Sequence, residues 1–227
     1  MIPGSYTKVV LGLFFLLMVG WDTYGQQSAF EIEYLKRLGV KTRTGYINNY
    51  VDGKPQRDCV KTIERYNPQG QLEQYTDYRK CGEVYMVFNY QYNAAGKVTS
   101  GDMQFMTVSS APLPFTFTFD EQGRVTHKMV QKPERGFYQN EKLSYDADGN
   151  ITRVDYLDAE GQIIEGSVSI VHEFSNGRIS GFNFTLPQAQ GSSRAEFEYD
   201  TEGRLITTRY YQSEQLVQTL TYEYSYF

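Results

Sequence analysis

One turn recurs along this chain, and its spacing constrains the fold more than any other feature. Its fullest form is Tyr145-Asp146-Ala147-Asp148-Gly149-Asn150-Ile151-Thr152. Close copies are Tyr66-Asn67-Pro68-Gln69-Gly70-Gln71-Leu72, Tyr92-Asn93-Ala94-Ala95-Gly96-Lys97-Val98, Phe119-Asp120-Glu121-Gln122-Gly123-Arg124-Val125 and Tyr199-Asp200-Thr201-Glu202-Gly203-Arg204-Leu205. Phe174-Ser175-Asn176-Gly177-Arg178-Ile179 is a shortened copy. The pivotal glycines Gly70, Gly96, Gly123, Gly149, Gly177 and Gly203 are separated by 26, 27, 26, 28 and 26 residues. A single Asx-x-x-Gly turn is ordinary in a β protein. Six at near-constant intervals are a repeat.

The chemistry of the turn is specific. Asp or Asn at its first position can bond backbone two residues on. Glycine at the fourth accepts positive φ at little steric cost. Together they predict a type I turn followed by a left-handed glycine, closing a hairpin with a bulge. The aromatic before the turn and the Val, Ile or Leu after it are strand formers that can pair across the hairpin mouth. A second turn falls near the middle of each unit, at Lys80-Cys81-Gly82-Glu83, Ser109-Ser110-Ala111-Pro112, Pro133-Glu134-Arg135-Gly136, Asp158-Ala159-Glu160-Gly161, Gln188-Ala189-Gln190-Gly191 and Gln212-Ser213-Glu214-Gln215. Strands of about nine residues remain, each about 30 Å long.

Even spacing predicts an antiparallel meander, with the glycine turns along one side of the sheet. Met86, Phe88, Tyr90 and Tyr92 share one face, as do Phe115, Phe117 and Phe119, and Tyr222, Tyr224 and Tyr226, while polar residues alternate with them. Past some turns the phase shifts, as at Ile151, Val154 and Tyr156, which predicts a bulge there. The fold class is all-β, with about 12–14 strands. Twist of about 20–25° per strand pair keeps such a sheet from lying flat, so it curls strongly or closes into a barrel around its aromatics.

Residues 1–25 read as a signal peptide. Lys8 precedes an apolar run from Val9 to Gly20, which is too short to span a bilayer. Cleavage near Gly25 leaves residues 26–227 as one domain; an uncleaved anchor is the rival reading. Ser28 and Glu31 have capping-box spacing, Phe30, Tyr34, Leu35 and Leu38 share a helical face, and Gly39 can end the helix. A short helix is therefore expected at 28–38, covering an edge of the sheet. Alternation of Phe30, Ile32 and Tyr34 keeps a strand open. Residues 40–50 and 57–66 flank a further hairpin at Val51-Asp52-Gly53-Lys54, and the repeats run from about 57 to 227.

The formal charge is −5, with no basic cluster, which argues against nucleic acid as a partner. Cys59 and Cys81, in an exported chain, suggest a disulfide. Straight pairing of their hairpin sets Cys59 opposite residue 78, so a bridge needs a bulge or a diagonal. His127 and His172 stand in different repeats, and no nucleophile, metalloprotease or phosphate-loop motif is present. Asp146, Asp148 and Asn150 resemble the start of a calcium loop, but the glycine comes two positions early and no Glu closes it. They read as turn residues. Asp155 and Asp158 are too ordinary a pair to argue for glycosidase chemistry. No cofactor and no catalytic set is expected.

The Tyr/Phe-Asp/Asn-x-x-Gly-x-Val/Ile/Leu-Thr pattern, with Thr99, Thr126 and Thr152 at its last position, resembles the YD repeat of RHS-type proteins. Glu73, Ser180 and Ile206 depart from it. The resemblance covers about residues 60–227. In that family long arrays form shells around a toxin or present adhesive surfaces; six units are too few to enclose a second domain. The resemblance implies a small exported stand-alone member, periplasmic or at the cell surface.

Three functions follow as expectations. The first is a non-enzymatic module binding a protein or glycan through the sheet or its turn edge, with Tyr90, Tyr92, Tyr199, Tyr222, Tyr224 and Tyr226 as a candidate aromatic surface. The second is a carrier of an apolar small molecule inside a curled sheet or barrel. The third, an outer-membrane barrel, is disfavoured. Positions alternating back from Phe227 are Ser225, Glu223, Thr221 and Thr219, and strand 61–66 puts Lys61 and Arg65 on one face and Glu64 on the other. Lipid-facing Lys or Arg costs about 2–4 kcal/mol at mid-membrane.

Overall fold

In a computed structural model the meander closes on itself. The structure describes residues 29–51, 54–55, 59–79, 81–106, 111–132, 137–158, 160–163, 168–175, 178–185 and 193–227. The leader at 1–25, the turn at Asp52 and Gly53, the reversals at 133–136 and 188–191, and Gly177 lie outside them. A helix, α1 (Ala29–Leu38), is followed by β1 (Val40–Val51), β2 (Lys54–Pro55), β3 (Cys59–Tyr66), β4 (Leu72–Arg79), β5 (Glu83–Tyr92), β6 (Val98–Phe105), β7 (Leu113–Phe119) and β8 (Val125–Lys132). The second half is β9 (Phe137–Tyr145), β10 (Ile151–Leu157), β11 (Val168–Ser175), β12 (Arg178–Thr185), β13 (Ser193–Tyr199), β14 (Leu205–Gln212) and β15 (Gln215–Tyr226).

Each strand pairs antiparallel with its neighbours in sequence, and β15 pairs with β1 from Val40–Tyr226 to Asn49–Gln218. The two-residue β2 only extends the tip of β1, so fourteen strands form the wall of a closed barrel. Closure removes the edge that α1 was expected to cover. The helix instead lies across the barrel end that carries the glycine turns. A Cβ on Gly70 would strike the Ile32 carbonyl and come within 2.8 Å of the Lys36 amide nitrogen. At the far side the Tyr34 hydroxyl donates to the Glu202 carbonyl at 3.0 Å. Tyr34 and Leu35 are buried beneath.

The turns have the geometry their sequence demands. Asn67 Oδ1 accepts the amides of Gln69 and Gln71, and the Gly70 amide donates to the Asn67 carbonyl at 2.9 Å. Asn93, Asp120, Asp146 and Asp200 repeat the pattern, and so does the mid-unit turn at Asp158. Their glycines have φ from 77° to 87°. Next to each pivot the register slips by one residue, between Arg65 and Tyr66, Gln91 and Tyr92, Thr118 and Phe119, and Glu198 and Tyr199, and on the far strand between Ile151 and Arg153. These bulges add twist, and repeated around the sheet they coil it toward closure.

Alternation puts the apolar face inside. Val130, Val168 and Ala195 have no exposure, Phe88 and Phe115 have 1%, and one continuous core includes them all. A circular fourteen-strand barrel would keep a lumen, since about eight strands already fill one with side chains. Zero exposure at these positions means that side chains fill the interior around them. Gly101 shows how tight the packing is: it has no side chain because the Phe115 ring and the Asn89 carbonyl occupy that space.

Two predictions follow. Gly101→Val forces the Phe115 ring and the Asn89 backbone apart, and should lower stability by about 1–3 kcal/mol in urea unfolding. The turn carboxylates should give acid sensitivity. Asp120 is held below the usual carboxylate range first by the Arg124 backbone amide, and Asp146 first by the Asn150 side chain. A depressed folded value adds stability above the unfolded value of about 3.9, and that stability is lost as pH falls through it toward the folded value. Asp120→Asn with Asp146→Asn keeps the acceptor oxygens, as Asn67 and Asn93 do, and should flatten the fall of the urea midpoint between pH 5 and 3.

Candidate functional site

The tyrosines expected to form an aromatic surface mostly do not. Tyr90 is 6% exposed, beside Phe115 at a ring-centroid distance of 5.8 Å. Tyr92, Tyr199, Tyr222 and Tyr224 are half-buried, and only Tyr226 is exposed. The physical reason is closure: the face they share is the concave one.

Their hydroxyls have another task. Between successive hairpins, backbone pairing stops a few residues short of the glycine-turn rim. β4 and β5, for example, pair no further than Gln74–Asn89. The Tyr92 hydroxyl spans the remaining gap and donates to the Leu72 carbonyl at 2.9 Å. Tyr145 reaches Val125 at 2.5 Å, Tyr199 reaches Ile179 at 3.1 Å and Tyr224 reaches Leu205 at 2.9 Å. In each of these the acceptor lies two residues after the previous repeat's glycine. Burial pushes the Tyr92 phenol up, and the Tyr224 phenol up to about 12, so both keep the proton they donate. In the shortened repeat Phe174 has no hydroxyl, and His172 substitutes, with Nε2 2.7 Å from the Ile151 carbonyl. This accounts for His172 structurally.

Among the described residues, three clusters of charged side chains are buried on the inner face. Arg43 bonds Glu64 through Nε at 2.8 Å and Nη2 at 2.6 Å, reaches Glu31 of α1 at 3.4 Å, and lies 5.6 Å from the Tyr222 ring centroid. Tyr66 also donates to Glu64. This cluster joins helix, β1, β3 and β15 at the closing seam. Lys61 is the extra residue of a bulge in β3, where Gly45 pairs with Thr62 and Tyr46 with Val60. The bulge turns Lys61 inward, 2.5 Å from Asp77 Oδ1 and 2.9 Å from the Tyr78 carbonyl. Burial pushes Lys61 down and Asp77 up, and each charge offsets the other's cost. Lys128 pairs across the strands with Glu141 and sits 5.1 Å from the Phe88 ring centroid, its ammonium pushed down by burial. Strict alternation put Lys61 with Arg65 and opposite Glu64; the bulge at Lys61 overturns that, placing Lys61 with Glu64 on the inner face and leaving Arg65 outside. The signal was present in Glu64, which falls in phase with Tyr66.

Among the described residues no three His, Cys, Asp or Glu side chains converge on a metal-sized site. Asp146 Oδ1 is used by its own turn. His127 lies on the outer wall against Thr118 and Thr126. Asp155, buried, binds Arg153 at 2.7 Å, while Asp158 caps its turn. Cys59 and Cys81 are bonded, with Cα atoms 4.7 Å apart, at the end opposite the glycine turns. The one-residue slip next to Tyr66 sets Thr62 against Asp77, which moves the register of the hairpin toward Cys81.

The outer wall is polar. Arg65, Gln74, Asn89 and Asp102 form a ladder of side-chain hydrogen bonds across β3 to β6. Ser225, Glu223 and Thr221 face outward on β15 and are exposed. Exposed aromatics are spaced around the glycine-turn rim: Phe119 on β7, Phe174 on β11, and Tyr226 and Phe227 at the end of β15.

No family model and no curated protein matches this chain. A porin-like protein from Bacteroides uniformis shares the fold. It has a TM-score of 0.51 at 11% identity, over 83% of this chain and 97% of that one. A porin-like protein from Bacteroides vulgatus matches 79% of this chain and 97% of its own at 10% identity and TM-score 0.42. A Photorhabdus luminescens Tc holotoxin pore matches 76% of this chain and 9% of its own at 14% identity and TM-score 0.32. The first likeness supports a barrel and nothing about activity; the other two are too distant to carry an argument.

The tyrosine bridges can be tested singly. Tyr145→Phe keeps the ring and removes the donor to Val125, and should cost about 1–3 kcal/mol in urea unfolding, the range for an abandoned buried acceptor. The same change at Tyr226, whose ring is exposed, should cost less.

Proposed function

We propose that the protein is an exported, non-enzymatic binding module that takes a glycan or a protein at its glycine-turn rim. The reading rests on one observation: Phe119, Phe174, Tyr226 and Phe227 are exposed at that rim, while the other aromatics of the same face are turned into the core. Aromatic side chains are favoured contacts at binding interfaces. Here the rings stand beside the Asx turns, whose carboxylates and amides supply hydrogen bonds to hydroxyls or backbone. Export is inferred from the apolar run at Val9–Gly20.

The polar ladder on the outer wall favours this reading over an outer-membrane barrel, whose outward band must be apolar. The unexposed interior at Val130, Val168 and Ala195 favours it over a carrier, because a guest there would have to displace core side chains. A glycan array followed by calorimetry tests the proposal. The mature chain should fractionate with soluble protein and bind a ligand that Phe119→Ala with Phe174→Ala weakens at least tenfold, with the melting temperature kept. Recovery in the membrane fraction, or a ligand held equally by the double variant, would overturn it.

A further inference from the structure

Between β3 and β4 the backbone ladder runs from Tyr66–Leu72 only as far as Thr62–Asp77. Past that pair Val60 and Cys59 keep their partners on β1, and Tyr78 and Arg79 keep theirs on β5. Among the described residues no ladder pair joins the two strands there. Side chains fasten them instead, through the Cys59–Cys81 disulfide and through Lys61 with Asp77.

Lys61 breaks the alternation of its strand. As the extra residue of the β3 bulge it is re-aimed from the outer wall to the inner face. Lysine and aspartate are almost never fully buried unless paired. Here the two side chains are 8% and 0% exposed, with Nζ 2.5 Å from Oδ1. Asp77 Cγ, one carbon–oxygen bond further, is therefore within about 3.8 Å of the nitrogen. The Tyr78 carbonyl accepts a second Nζ hydrogen at 2.9 Å and holds the nitrogen in place. Thr62, the cross-strand partner of Asp77, shares its face, and Gly45 opposite leaves room for the Thr62 hydroxyl, which a Cβ there would meet at 2.4 Å. Among the described residues Thr62 Oγ1 and Asp77 Oδ2 have no hydrogen-bond partner. Burial pushes the Lys61 ammonium down and the Asp77 carboxyl up, toward amine and acid.

We propose that Lys61 and Asp77 condense to an amide, a second covalent bond between β3 and β4 made by the folded chain itself. Nζ bonds to Cγ as one Cγ–O bond breaks. The leaving oxygen carries the acid proton, takes one proton from the amine and departs as water. The other amine proton stays on the amide nitrogen, and no oxidant or co-reactant enters. The Thr62 hydroxyl relays the proton to the leaving oxygen. Holding the two groups in contact replaces a bimolecular encounter, and burial excludes the water that would reverse the step. Arg43 and Glu64 are bonded as closely but cannot follow, because a guanidinium does not deprotonate in proteins. Unlike the disulfide beside it, an amide survives reduction, so this end of the wall stays fastened in the presence of thiols.

The test is peptide mapping. The full chain, purified folded and incubated at length, is reduced, alkylated and digested with trypsin. The amide should block cleavage after Lys61 and join Asp58–Arg65 to Tyr66–Arg79, at their summed mass less one water, with fragmentation locating the link at Lys61 and Asp77. Lys61→Arg and Asp77→Ala should each return the peptides unjoined. Cleavage after Lys61 with an unmodified Tyr66–Arg79 in the wild type would overturn the proposal and leave the two groups an ion pair. Water loss confined to Tyr66–Arg79, as a cyclised aspartate would give, would overturn it as well. Neither outcome depends on what the glycine-turn rim binds.

Discussion

Everything in this barrel depends on how one hairpin is fastened to the next at the rim. The Asx-Gly turn places a bulge beside its pivot, and the bulge curves the strands apart where hairpins meet. Backbone pairing then ends early and leaves carbonyls such as those of Leu72 and Val125 facing the core. A buried carbonyl without a donor is costly, so the tyrosine that opens the next turn supplies one. The same residue types that curl the sheet thus repair the gaps that curling makes. Tyr92, Tyr145 and Tyr199 do this immediately before their Asx turns, whereas Tyr66 bonds Glu64 and Phe119 has no hydroxyl to give.

The buried ion pairs belong to closure. Arg43 and Glu64 lie where β1, the last part of the ring to be completed, meets β3 and β15. Long-range pairing of β1 with β15 must hold together segments about 180 residues apart in sequence, at a loop-closure cost in entropy. A charged cluster shared by α1, β1 and β3 and roofed by Tyr222 is demanding about geometry and fixes one register. Replacing such a cluster with apolar residues often costs little stability, so its value here is in specifying the seam.

The shortened repeat shows how local variation becomes surface. Its turn lacks one residue of the standard form, and phenylalanine stands at the tyrosine position. His172 recovers the bridge, and Phe174 beyond it is left exposed at the rim. Elsewhere the outward face is a polar lattice with little to offer a partner.

Much of this architecture was legible in the chain itself. Turn chemistry is local, so Asn67 through Gly70 and its copies announced the reversals. Period-two alternation is also local, so Met86, Phe88 and Tyr90 were visible as one face, and the slip past Gly149 pointed to its bulge. The helix at the start followed from caps and spacing. The direction in which that face points is not a local property. Tyr90 and Tyr222 are aromatic, alternating and near turns whether the sheet is open or closed; only pairing of Val40 with Tyr226 turns them inward. The partners of Glu64, Lys61 and Tyr92 were hidden for the same reason, since they are set by register between strands, and register accumulates through bulges of one residue each. Sequence determined where the chain reverses and which residues share a side. Tertiary structure decided which side is the inside, because closure is a condition on the whole ring at once.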